Sequence, residues 1–335
     1  MNDETLHFEA AINPYGCSES VVRAMETCAR AKEYRSYGEP TAESLRESLA
    51  NHYGLSPDNF VVFNGAGEAL AWLFVLNLVM RRGRLIVPYP SYERFVEAGK
   101  RCAAEVIEVP LDAETFSLPV DQFIEDGRGR ANVGLISSPN NPTGNLLLDE
   151  KSMSRLLDEM PDCLWIIDEA YADYAGVSFV PWVRERRNLI VLRSFSKAYG
   201  LAGLRVGYAV AHPSVAGELA GVRLPWCVNS LSLVAAQAAL LDQEYLAQVV
   251  ARIKADCEDF QAGLSRIPFL HVHPSAANFF PVRLEGVSPS SVKQQLSERR
   301  IQVRSRADMP LHLRLTSLRP SENQRLLDAL ESFKG

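Results

Sequence analysis

The stretch RSFSKAYGLAGLRVGYAV, residues 193–210, sets one lysine among serines, glycines and apolar residues. Segments on both sides of it read as strands, and Arg205 follows eight positions on. Lysines belong by preference on solvated faces. Lys197 is therefore either an ordinary loop lysine or a reactive amine, and the surrounding sequence has to decide.

Short β-rich apolar runs recur on both sides of this stretch. They are FVVF (60–63), RLIV (84–87), EVIEV (105–109), NVGLIS (132–137), CLWIID (163–168), LIVLR (189–193) and RVGYAV (205–210). Several lack polar alternation, as strands covered on both faces do. Helix-like segments such as EALAWLFVLNLVMR and EKSMSRLLDEM lie between them. This alternation predicts an α/β fold, with a mostly parallel seven-stranded sheet between helices. After residue 210 the pattern changes. A long Ala- and Leu-rich helical stretch, interrupted near Asp242, leads into strands within HVHPSAANFFPVRL and LHLRLTSL. The chain closes on a helix that opens at a serine cap and runs into Gly335. The expected organisation is an N-terminal arm (1–30) contributing to a small domain, a large domain (31–230), and a long helix with a small C-terminal α+β domain (231–335).

The 335 residues are 47% hydrophobic and 23% charged, a globular mix able to bury a sizeable core. A net charge of -6 argues against nucleic acid as the main partner. The clusters MRRGR (80–84) and RERR (184–187) read as solvated helix ends or loops. Six dispersed cysteines form no C-x-x-C pair. The acidic start MNDETLHFEA carries no signal-peptide pattern. The longest apolar run, AWLFVLNLVM, is about half of the roughly 20 residues a membrane span needs. These features predict a cytoplasmic, soluble protein with reduced thiols and no membrane partner.

Three motifs follow strand ends. FNGAGEAL (63–70) opens a helix, where Gly65, Ala66 and Gly67 present backbone N–H groups to a phosphate. Leu70 stands where a dinucleotide fingerprint needs a third glycine, which favours an isolated phosphate. SPNNPTG (138–144) places Asn141, and IIDEAYADY (166–174) places Asp168 and Tyr171. RSFSKAYG then places Ser194, Ser196 and Lys197 past a third strand. In open α/β sheets ligands bind at the carboxyl ends of strands. Each residue alone has an ordinary structural explanation. Together they suit a pyridine ring carrying a phosphate and an aldehyde. Lys197 would condense with the aldehyde and Asp168 would pair with the ring nitrogen. Asn141 and Tyr171 would bond the ring hydroxyl, and Tyr92 would stack on the ring face. Ser194, Ser196, Arg205 and the amides of residues 65–67 would hold the phosphate. HVH (271–273) could offer two metal ligands on one strand face, but no third stands nearby, so no metal is expected.

SPNNPTG, DEAYADY and SFSKAYGLAGLRVGY, in this order and spacing, resemble the pyridoxal-phosphate-dependent aminotransferases of fold type I, class I/II. The resemblance runs from NPYG near residue 13 to LRLTS near residue 317. Within that family the chain is most similar to the histidinol-phosphate aminotransferases, with the threonine-phosphate decarboxylases close behind. Ile12 stands where the aminotransferases more often carry an acid, and LPWCVNSLS (224–232) resembles the decarboxylase pattern. The resemblance implies pyridoxal 5'-phosphate as cofactor and transamination of an amino substrate, most readily histidinol phosphate, with a 2-oxo acid such as 2-oxoglutarate. It also implies a homodimer with shared active sites, in which Tyr37 reaches the neighbour's cofactor phosphate. Tyr15 and Asn141 are implied in substrate contact, and Arg304 and Arg314 in gripping substrate anions. The chain departs from the pattern in three places: a short, glycine-free link between Arg304 and Arg314, Leu318 after the serine, and Gly67 in place of Asp.

Overall fold

A computed structural model describes residues 5–103 and 105–333. The seven apolar runs all form strands: β1 (Phe60–Phe63), β2 (Arg84–Tyr89), β3 (Glu105–Pro110), β4 (Val133–Ser137), β5 (Leu164–Asp168), β6 (Leu189–Ser194) and β7 (Gly207–Ala211). They hydrogen-bond in the order β1-β7-β6-β5-β4-β2-β3. Only β7 runs antiparallel to its neighbours in this sheet. Successive side chains of a strand point to opposite faces. Trp165, Ile167 and Val191 accordingly join one buried cluster, while Ile166, Ile190 and Leu192 join another across the sheet. The continuous apolar runs are thus explained by helices on both faces. The same alternation puts Asp168 on the face of Ile166, and Ser194 on that of Leu192.

A second sheet contains β8 (Leu270–Val272), β9 (Phe279–Leu284), β10 (Arg304–Arg306) and β11 (Met309–Thr316), in the order β10-β11-β9-β8 and antiparallel throughout. The N-terminal arm divides. Leu6–His7 pairs with Ile301–Gln302, and Leu6, Phe8 and Ala11 enter the C-terminal core. The helix Glu19–Ala31 packs instead along the helix Ser230–Leu241.

The helical stretch does break at Asp242, whose carboxylate accepts the backbone N–H of Tyr245 at 3.2 Å to start the helix Gln243–Leu264. Its first half lies elsewhere than expected. Leu233, Ala235, Ala236 and Leu240 are buried with the large sheet, whereas Val249, Ile253 and Phe260 belong to the C-terminal core. A helix apolar on nearly every side must be covered on several sides. Ser230–Leu241 finds that cover between the helices Glu19–Ala31 and Glu43–Tyr53. The last helix, Pro320–Glu331, is capped at Arg319 rather than at Ser321. Proline suits the first helical position because its missing N–H has no partner to lose there. The expected run into Gly335 lies outside the described residues. No helix among the described residues is long and apolar enough to cross a membrane.

Candidate active site

Between the carboxyl ends of β5 and β6, the start of the helix Ala66–Phe74 and the arginines of the second sheet lies a cavity of about 490 Å³. Ala66, Gly67, Tyr92, Asn141, Asp168, Tyr171, Ser194, Ser196, Lys197, Arg205, Arg304 and Arg314 all line it. Parallel strands end side by side, so residues far apart in sequence meet on one rim.

The Nζ of Lys197 donates to the carbonyl of Ala11 at 2.9 Å and lies 4.9 Å from the centre of the Tyr171 ring. Asn13 fastens the arm to the lysine loop, donating to the carbonyl of Ala198 at 2.9 Å. Asp168 is buried, and its carboxylate accepts the Ala170 N–H at 3.1 Å. Burial pushes its pKa up to about 6, against the lowering effect of that N–H and of Lys197.

At the other pole, Arg205 Nη1 donates to Ser196 Oγ at 3.2 Å, and the Ser196 N–H donates to Ser194 Oγ at 3.1 Å. The helix Ala66–Phe74 begins beside them, and its first N–H groups have no partner within the helix. Gly65 stays outside the cavity lining and makes this approach possible. It has a φ of +89°, and a Cβ there would lie 2.5 Å from Arg205 Nη2. Gly207 does the same from below, where a Cβ would meet the backbone nitrogen of Ala66 at 2.4 Å.

Arg314 is held by Asn141, whose Oδ1 accepts from Nη1 at 2.7 Å, and by the carbonyl of Glu9, which accepts from Nη2 at 2.5 Å. Its Nε is buried without a hydrogen-bond partner among the described residues, and burial lowers its pKa. Arg304 pairs with Glu93. Arg306, which the sequence reading passed over, also lines the cavity, with Asp308 and the carbonyl of Ser91 as partners at 2.5 and 2.6 Å. The alternation in VRSRADM already put both arginines on one strand face, the signal that could have found it.

One residue expected in substrate contact lies elsewhere. The hydroxyl of Tyr15 donates to Asp256 at 2.6 Å, with Arg252 stacked 4.0 Å over its ring, outside the cavity lining. Tyr37 is 85% exposed and 5.2 Å from the Trp226 ring, also outside it. In the HVH segment His271 is exposed and His273 is not. His273 is buried against Phe116, and its Nε2 is 3.2 Å from His312 Nε2. Burial lowers both pKa values to about 4. Among the described residues no group of three metal-ligating side chains occurs.

The family model "Aminotransferase class I and II" matches residues 4–330. The chain belongs to that family. A histidinol-phosphate aminotransferase from Roseiflexus castenholzii is 34% identical over 98% of this chain and 90% of its own length. The structure of the Sinorhizobium meliloti histidinol-phosphate aminotransferase in complex with pyridoxal-5'-phosphate superposes with a TM-score of 0.88 at 25% identity, over 98% of this chain and 90% of that one. The L-threonine-O-3-phosphate decarboxylase of Porphyromonas gingivalis superposes at 0.85 with 26% identity, over 98% and 99%.

As an aminotransferase of this family the chain uses pyridoxal phosphate, and its donor set fits that group. A buried carboxylate with a raised pKa calls for a cation, which the ring nitrogen provides. The arginine, hydroxyls and helix amides at the other pole suit a phosphate.

Proposed function

We propose that this aminotransferase acts on histidinol phosphate, with 2-oxoglutarate as amino acceptor. The observation carrying the proposal is the group of Arg304, Arg306 and Arg314 lining the same cavity as Lys197. Such a group suits a substrate with an oxyanion besides its reacting amine. The full-length similarity to proteins named histidinol-phosphate aminotransferase supports the same substrate.

Bound pyridoxal phosphate supplies an electron sink that makes the Cα–H bond of an attached amine acidic. In this reading Asp168 stays ionised against the ring nitrogen, while Ser194, Ser196, Arg205 and the amides of Ala66 and Gly67 carry the phosphate. Tyr92 covers the ring, and Asn141 and Tyr171 bond its hydroxyl. Lys197 Nζ takes the Cα proton and redelivers it as general acid. Arg314, oriented by Asn141, and Arg304 grip the substrate anion. Tyr37 serves the phosphate of a neighbouring copy in a homodimer, a reading supported by its exposure beside Trp226.

A decarboxylase is the second reading. Ile12, apolar where the aminotransferases more often carry an acid, lines the cavity and favours it. The test offers the holoenzyme histidinol phosphate with 2-oxoglutarate and, separately, O-phosphothreonine. Glutamate from the first supports the proposal. Carbon dioxide from the second without glutamate from the first replaces it with the decarboxylase.

A further inference from the structure

Glu9, Glu93 and Asp168 all line the cavity, and of these three Glu93 is the one whose carboxylate pairs with its arginines among the described residues. Glu93 opens the helix Glu93–Cys102 directly after Tyr92. Its Oε1 contacts Arg304 Nη2, and its Oε2 lies 3.9 Å from Arg306 Nη1. The two arginines differ in how firmly they are held. Arg306 is 6% exposed, and Asp308 and the Ser91 carbonyl accept its N–H groups. Arg304 is 42% exposed, with Glu93 as its ion-pair partner. A charge-assisted bond to a carboxylate is stronger than one to a neutral acceptor, so a donor given to Glu93 is not freely available to another anion. The carboxylate of Glu93 therefore takes a donor of Arg304 and sets a negative charge beside both arginines, where an incoming oxyanion would bind.

We propose that Glu93 is an internal competitor for the substrate's anion: it occupies Arg304 until a phosphate group displaces it. The inference rests on the reading of Arg304 as an anion grip. Glu93 then sets how strongly an anion must bind to enter, and so acts as a specificity-determining residue for phosphorylated amines. Its side chain is 29% exposed and has room to swing towards solvent when displaced.

The test titrates inorganic phosphate into the holoenzyme by calorimetry, where the cofactor already fills the Arg205 pole. Four proteins are compared: wild type, Glu93→Gln, Arg304→Gln and the double variant. Exposed pairs of this kind are modest, so Glu93→Gln should bind phosphate about fivefold tighter than wild type. Arg304→Gln should bind it more weakly, and adding Glu93→Gln to Arg304→Gln should bring no fivefold gain. An unchanged or weaker affinity in Glu93→Gln overturns the inference while leaving the anion grip standing. A fivefold gain that persists without Arg304 also overturns it, since the effect is then general charge. If Arg304→Gln binds phosphate like wild type, the anion grip falls, and the competitor with it. Should Glu93→Gln fail to load cofactor, Glu93→Asp withdraws the carboxylate by one methylene. It should then give a smaller gain in the same direction, and no gain overturns the inference.

Discussion

Replacing Asp168 by asparagine should stabilise the cofactor-free protein at neutral pH and destabilise the loaded one. In the apoprotein this carboxylate is buried, with the Ala170 N–H as its hydrogen-bond partner. Its pKa rises from 3.8 to about 6 because burial outweighs that bond and Lys197. A raised carboxyl pKa means that the unfolded state releases the proton first. The penalty is absent below 3.8, grows through the interval, and is complete once pH passes about 6. At 1.36 kcal/mol per pKa unit it reaches about 3 kcal/mol. For a chain of this length, an unfolding entropy of about 2 cal/mol/K per residue turns that into roughly 4 °C in Tm. The asparagine oxygen can keep the Ala170 bond, so the change isolates the charge. Calorimetric unfolding of wild-type and Asp168→Asn apoproteins at pH 4 and pH 8 reads the effect. The variant should melt higher at pH 8, and the gap should close at pH 4. With pyridoxal phosphate bound the order should reverse, because the variant leaves the ring cation unpaired. A gap independent of pH, or no gap at pH 8, would refute the account of Asp168 as an uncompensated buried charge.

Other perturbations test other parts of the site. Lys197→Ala should lower kcat by about four orders of magnitude while pyridoxal phosphate still binds, as read by turnover and cofactor absorbance; ordinary turnover would end its assignment as general base. Gly65→Ala places a Cβ against Arg205 at a φ of +89°. It should weaken cofactor affinity by about 10- to 100-fold in an absorbance titration, with the far-UV circular dichroism unchanged. His273 and His312, with pKa values lowered to about 4, carry stability that is complete above pH 6.5 and is lost as pH falls towards 4. His273→Phe should flatten the fall in Tm across that interval, and an equal slope in both proteins would contradict it.

The large sheet was legible because a strand covered on both faces must be apolar along its whole length, and such runs stand out. Strand ends were less so: β2 and β3 extend to Tyr89 and Pro110, since hydrogen-bond pairing continues past the last apolar residue. The helix Ser230–Leu241 carried no sign of which core it would join, because its apolar surface suits either one. At the site, motif residues such as Asp168, Ser194 and Lys197 were visible because each lies at or just past the carboxyl end of a strand. Ala11 offers Lys197 only a carbonyl, which has no residue type to recognise.

The local order of residues was enough to determine the strand–helix alternation, the glycine turn at Gly65 and the placing of Asp168, Lys197 and Arg205 beside strand ends. Each depends on properties a short segment carries by itself: apolar periodicity, backbone freedom, the reactivity of a side chain. Tertiary structure alone decided that Tyr15 turns to Asp256, that Glu93 faces Arg304, and that His273 is buried against His312. Those pairings join residues 39 to 241 positions apart. Charge and hydrogen bonding act over a few ångströms of space, and only the packed chain sets which groups come within that distance.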